Sequence, residues 1–232
     1  MKLKTTITSA VMALALVMTG GAQAGTLEDV QARGVLRCVV STGIAGFAAP
    51  NADGVWEGFD IDFCRATAAA VLGDANAIEA VTSTGKTRFT RLNAGEGDVL
   101  WRNTTITFSR DVGVKLRFHG VNYYDGQGFM VRKDLGVSSA TELDGASVCI
   151  QTGTTTELNL ADYFASNGMS YEAVTIETND EARQNYESGR CDVYTTDASG
   201  LSSTRSALPD PDAHMVLPEI ISKEPLGPAT RH

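Results

Sequence analysis

Apolar and polar positions alternate along this chain in a way that lays out strands and helices in turn. Val35 to Val40 carries a β pattern that runs out at Ser41-Thr42-Gly43. Gly58 then turns the chain into a helix on which Phe63, Ala66, Thr67, Ala70 and Val71 recur on one face, predicted to be the buried one, and Gly73 ends it. A short strand is predicted over Ile78 to Val81. A second helix follows over Thr87 to Ala94, with Phe89 and Leu92 inward, and another strand begins at Asp98 to Leu100. Strand–helix alternation of this kind implies a parallel sheet with helices on its faces.

The order then recurs. Gly34 to Cys38 is echoed by Gly145 to Cys149, each a Gly-led apolar strand with cysteine four places on. Gly95-x-x-Asp98-Val99 is echoed by Gly189-x-x-Asp192-Val193, both following a helix and opening a strand. Leu158, Ala161 and Phe164 mark the helix after Cys149, and Ala182 and Tyr186 the helix before Cys191. Two α/β lobes of similar topology are therefore expected. Small-molecule sites favour the cleft between such lobes, at the carboxyl ends of the strands.

Residues 1–24 read as a secretory signal. Lys2 and Lys4 precede an apolar run from Ile7 to Met18, and Ala22-Gln23-Ala24 fits a cleavage site after Ala24. The run is shorter than the ~20 residues that a spanning helix needs. An exported, periplasmic protein is expected. The formal charge is −9 for the whole chain, and −11 once the two lysines of the signal are removed. That balance argues against nucleic acid, which calls for clustered Lys and Arg. Four cysteines in an exported chain favour disulfides, with three pairings possible. Cys38 sits in a predicted strand and Cys64 in the helix expected to pack on it. Cys149 and Cys191 lie in or beside two later strands, so Cys38–Cys64 and Cys149–Cys191 are the expected pairs. No CxxC spacing occurs and there are three histidines, so no metal or other cofactor is expected.

Four segments hold candidate binding chemistry. Gly153-Thr154-Thr155-Thr156-Glu157 follows a strand and opens a helix; Thr154 with Glu157 fits a capping box, and the exposed amides suit an anion. Arg102-Asn103-Thr104-Thr105 and Arg110 follow the strand after Asp98, and arginine suits a two-pronged grip on a carboxylate. Asp197 ends the strand that begins at Asp192, where a carboxylate suits an ammonium group. Phe47 lies in a loop after the first strand and suits a ligand's apolar stem. Arginine, a helix N-terminus and an aspartate at one cleft edge together fit a zwitterion.

At these residues the chain resembles the polar amino-acid-binding family of periplasmic receptors. Gly58-Phe59-Asp60-Ile61-Asp62-Phe63 is similar to that family's signature, although Thr67 stands where an apolar residue is usual. The stretches 122–131, 153–163 and 218–228 resemble the general L-amino-acid receptors of ABC importers. The resemblance implies a type II periplasmic binding fold, with residues 25–122 as lobe 1, 123–218 as lobe 2 and 219–232 as the return crossing. It implies that Arg110 binds the ligand α-carboxylate, helped by Thr155, Asn103 and Thr105, that Asp197 binds the α-ammonium, and that Phe47 stacks beside the ligand. Free L-amino acids and the membrane permease subunits of an ABC importer are the implied partners of a monomeric, non-catalytic receptor. A dehydratase-like enzyme on the same fold is the alternative. Trp101 stands where a small residue is typical, and Gly85 where narrower relatives place a bulky contact. Members of the family continue past Arg231-His232 with helices that complete lobe 1, so those helices are expected to be lacking here.

Overall fold

The computed structural model describes residues 25–232, and the expected export signal and cleavage site lie outside them. Helix α1 (Thr26–Arg33) leads into β1 (Leu36–Val40), β2 (Ala49–Pro50), β3 (Trp56–Glu57) and helix α2 (Phe59–Leu72). Then come β4 (Ile78–Thr82), α3 (Arg88–Asn93), β5 (Val99–Leu100), β6 (Leu116–Phe118), β7 (Tyr123–Asp125) and β8 (Gln127–Arg132). The chain continues through β9 (Ser147–Gln151), α4 (Thr155–Ser166), β10 (Glu172–Ile176), α5 (Asn179–Glu187) and β11 (Val193–Asp197). Helix α6 (Ala198–Ser206), β12 (His214–Val216), β13 (Glu224–Leu226) and β14 (Ala229–Arg231) complete it.

Two five-stranded sheets result, ordered β4-β1-β5-β14-β6 and β10-β9-β11-β8-β12. The parallel triplets β4-β1-β5 and β10-β9-β11 match one another, as the sequence repeat implies. The repeated Gly-x-x-Asp has a shared physical cause. Gly95 and Gly189 take φ of 77° and 75°, which glycine adopts without a Cβ clash as each preceding helix ends. Each aspartate then accepts from the backbone amide at the start of the central strand. Asp98 accepts from Arg37 N at 2.8 Å and Asp192 from Ser147 N at 3.1 Å. Antiparallel β7 and β13 pair outside both sheets, with Leu226 opposite Tyr123, where the chain passes between the two layers and returns.

Both expected disulfides form. Cys38–Cys64 ties β1 to α2, and Cys149–Cys191 ties β9 to the turn two residues ahead of β11. The bridge also decides which face of α2 is buried. Phe63, Ala66, Thr67, Ala70 and Val71 were expected inward, yet the buried residues are Asp60, Ile61, Cys64 and Ala68. Helix α2 carries apolar side chains on two sides, so periodicity alone does not choose between them. Phe63 instead stacks on Trp101 at a centroid distance of 5.0 Å. Thr67, Val71 and Trp101 border an open groove with Leu27 and Val30. On α4, likewise, Leu158 and Ala161 are exposed, while Thr156, Leu160 and Phe164 are buried.

Candidate functional site

The first sheet presents its polar groups through a pinned turn. Gly58, at φ 118°, lets α2 start hard against the loop at Phe47, whose carbonyl oxygen would lie 2.5 Å from a Cβ there. The amide of Asp60 donates to that same oxygen at 2.9 Å. The Asp60 carboxylate is thereby held inside the fold, where it accepts from Asn103 N at 3.0 Å. This fixes the turn after β5, in which Asn103 takes a left-handed φ of 29°. Burial pushes the Asp60 carboxyl up to about 7, against the Asn103 hydrogen bond and the charge of Arg102.

Arg102 and Arg110 follow within this segment. Arg102 Nε donates to Ser83 O at 3.2 Å, and Arg110 Nη1 to Thr105 O at 2.7 Å. Burial lowers both guanidiniums to about 10, Arg110 being supported by Glu224 and Asp197. The ring of Phe89 backs two cations, with Arg88 and Arg110 at 4.7 and 5.2 Å from its centroid.

The second sheet supplies the opposite wall. Thr154 caps α4, its side chain accepting from Glu157 N at 3.2 Å. Glu157 reaches back to Gly153 N at 2.9 Å, one residue earlier than a capping box requires. Gln127 holds the start of this helix to β11 through Thr156 O at 3.0 Å and Thr195 Oγ1 at 2.9 Å. Asp197 ends β11 and is buried, and among the described residues its carboxylate accepts no hydrogen bond. Burial pushes its carboxyl up to about 8, aided by Asp125 and Glu224 and opposed by Arg88 and Arg110.

The two walls meet. Ser203 Oγ donates to Ala45 O at 2.8 Å, Asn179 Nδ2 to Gly43 O at 3.3 Å and Arg88 Nη2 to Gly153 O at 3.3 Å. Glu224, on β13, joins both sheets: its carboxylate accepts from Thr105 at 2.5 Å, Thr155 at 2.9 Å, Asn159 at 2.7 Å and Ser222 at 2.6 Å. Five of the six residues expected at the site, Asn103, Thr105, Arg110, Thr155 and Asp197, line one polar cavity. Arg88, Arg102, Gln151, Thr154, Thr156 and Thr196 line it with them. A second cavity of about 290 Å³ shares Asn103, Gln151 and Thr196 as its wall.

Phe47 does not line either cavity; it packs edge-on against Phe59 and Tyr123, at 5.9 and 5.7 Å. Trp101 turns toward the groove on α2 rather than into the polar cavity. Gly85 leaves no room to spare: a Cβ there would lie 2.9 Å from Thr152 O and 3.0 Å from Thr154 Cγ2. Glycine lets the two walls touch at this point. Arg88 and Glu224 are the main groups that the sequence reading passed over. A lone Arg at the head of a short helix and a Glu between Lys223 and Pro225 look like solvated charges, and no local pattern marks them as buried.

The family described as Bacterial extracellular solute-binding proteins, family 3, matches residues 36–161. The chain is 59% identical to the glutamate/glutamine/aspartate/asparagine-binding protein BztA of Rhodobacter capsulatus, over 95% of this chain and 65% of that one. It is 55% identical to the general L-amino acid-binding periplasmic protein AapJ of Rhizobium johnstonii, over 99% of this chain and 68% of that one. A periplasmic binding protein of an ABC transporter from Brucella ovis, solved with glutathione bound, superposes with a TM-score of 0.87 at 55% identity. That match covers 90% of this chain and 66% of the other. The chain thus spans about two thirds of the length of these relatives.

Proposed function

The chain belongs to the bacterial extracellular solute-binding proteins, family 3, and on that footing we propose that its cleft captures free L-amino acids in the periplasm for the permease subunits of an ABC importer. One observation carries this reading. Arg110 and Asp197 lie in the same buried cavity, one on each wall, beside Thr155 at the N-terminus of α4. An amino acid brings one negative and one positive group a few ångströms apart, and burying either without a partner is costly. Arg110, with Asn103, Thr105 and Thr155, takes the α-carboxylate, and Asp197 takes the α-ammonium. Phe47 is left outside this clamp.

In this reading residues 1–24 are an export signal cleaved after Ala24. Residues 25–122 and 123–218 act as two lobes, with 219–232 returning to the first, and β7 with β13 forms the hinge. The chain acts as a monomer, and Glu224, which accepts from Thr105 on one wall and Thr155 on the other, is the latch between them. BztA and AapJ are named as binding proteins, which favours capture over the dehydratase-like alternative.

Calorimetric titration with a panel of L-amino acids tests the clamp. R110A and D197N are each expected to weaken every ligand together by about 2–5 kcal/mol, since both contact the part that all amino acids share. A variant that lost only one ligand class would assign that residue to side-chain reading and remove it from the clamp.

A further inference from the structure

At its carboxyl end the second sheet splits, and one side chain bridges the gap. Among the described residues, β11 pairs with β9 through Val193 and Tyr194, opposite Val148 and Cys149, and no further. Past that point β9 turns away into α4, while β11 runs on to Asp197 with β8 as its neighbour. Gln127, the first residue of β8, spans the opening. Its Nε2 donates to Thr156 O in the first turn of α4 at 3.0 Å and to Thr195 Oγ1 on β11 at 2.9 Å.

This bridge calls for a primary amide. Thr195 Oγ1 directs its own hydrogen to Gly128 O at 2.7 Å, and Thr156 O is a carbonyl, so both groups that face Gln127 are acceptors. The amide must present both of its N–H bonds to them, which fixes its orientation. Its Oε1 is left buried without a partner, an arrangement that costs stability. Methionine would fill the same space with no orphaned oxygen, so what glutamine adds is the pair of donors. The main chain of Gln127 is held in turn. Its carbonyl accepts from Ile221 N at 2.9 Å, and its amide donates to Ser222 Oγ at 3.3 Å. Ser222 Oγ donates onward to Glu224 at 2.6 Å.

We infer that Gln127 is a positioning residue for the ligand clamp. It lines neither cavity and acts through what it joins. It sets the distance between the N-terminus of α4, where Thr155 takes the α-carboxylate, and the end of β11, where Asp197 takes the α-ammonium. This rests on the amino-acid reading above. The two charges of an amino acid are a fixed distance apart, so the groups that receive them must be held at a matching separation before the ligand arrives.

The test is calorimetric titration of ligand-free wild type, Q127M and Q127E with L-glutamate, L-glutamine and L-alanine, at a temperature where circular dichroism shows each protein to be folded. The three side chains at this position have similar shapes and differ in donors: two for glutamine, one for a buried protonated glutamate, none for methionine. Q127M is expected to weaken all three ligands by one common factor of about five- to tenfold, and Q127E by a smaller common factor of about two- to threefold. A change in packing alone would not sort affinity by the number of donors. If Q127M does not fold, Q127E against wild type decides. Unchanged affinity, any other order of the three proteins, or a loss confined to one ligand would overturn the assignment. A wild type that bound none of the three ligands would instead overturn the amino-acid reading itself.

Discussion

Replacing Asp197 by asparagine should stabilise the empty protein while it destroys the site. In the ligand-free cleft the Asp197 carboxyl is pushed from 3.8 up to about 8 by burial, with Asp125 and Glu224 adding to the effect. A folded-state value raised in this way favours folding fully below pH 3.8, and the contribution is lost progressively as pH climbs to about 8. At pH 7 the chain must hold the group protonated, at about 1.4 kcal/mol for each pH unit above its unfolded value, or about 4 kcal/mol in all. Asparagine has the same shape and no charge to lose. D197N should therefore match the wild type at pH 4 and exceed it by about 4 kcal/mol at pH 7. For a chain of this size that is roughly 10 °C in Tm. Thermal melts of ligand-free wild type and D197N, followed by circular dichroism at both pH values, read the difference directly. A shift of equal size at pH 4 and pH 7, or a loss of stability at both, would refute the argument that burial keeps this carboxyl protonated.

Three further outcomes follow from the same geometry. Because an ammonium group favours the ionised form of Asp197, whose carboxyl burial pushes up to about 8, ligand binding at pH 7 should release a proton from it; calorimetry in buffers of different ionisation enthalpy would count the release, and a count near zero would speak against that pairing. Glu224→Gln leaves one side-chain oxygen to accept from four donors on both walls, so ligand affinity should fall by about 1–3 kcal/mol, read by titration, and an unchanged affinity would remove Glu224 as the latch. The double variant C149S/C191S opens a bridge between residues 42 apart in sequence, and urea unfolding should show a loss of roughly 2–4 kcal/mol; peptide mapping that joined Cys38 to Cys149 would overturn both bridges.

The sequence by itself determined the features that local chemistry imposes. Strand β1 and its counterpart β9 are legible because a Gly-led apolar run has one stable outcome, and the recurring Gly-x-x-Asp reports a strand start that each aspartate clamps. The two cysteine pairs follow from where the cysteines fall, Cys38 in a strand with Cys64 in the helix packed on it and Cys149 and Cys191 in or beside two later strands, and the polar turns at residues 102–110 and 153–157 stand out as short polar groups just past strand ends. The similarity to known receptors added the pairing of Arg110 with Asp197, which no spacing of 87 residues reveals. Tertiary structure decided the rest, because burial is a property of what lies opposite. Helix α2 had two apolar faces, and only its bridge and packing onto β1 chose Ile61 and Cys64 over Phe63 and Thr67. Phe47 became part of an aromatic cluster once Phe59 and Tyr123 were placed against it. Nothing local in the sequence marks Arg88 or Glu224 as buried; Arg88 became a lining residue of the polar cavity and Glu224 a bond between the walls only where the two sheets packed together and excluded water.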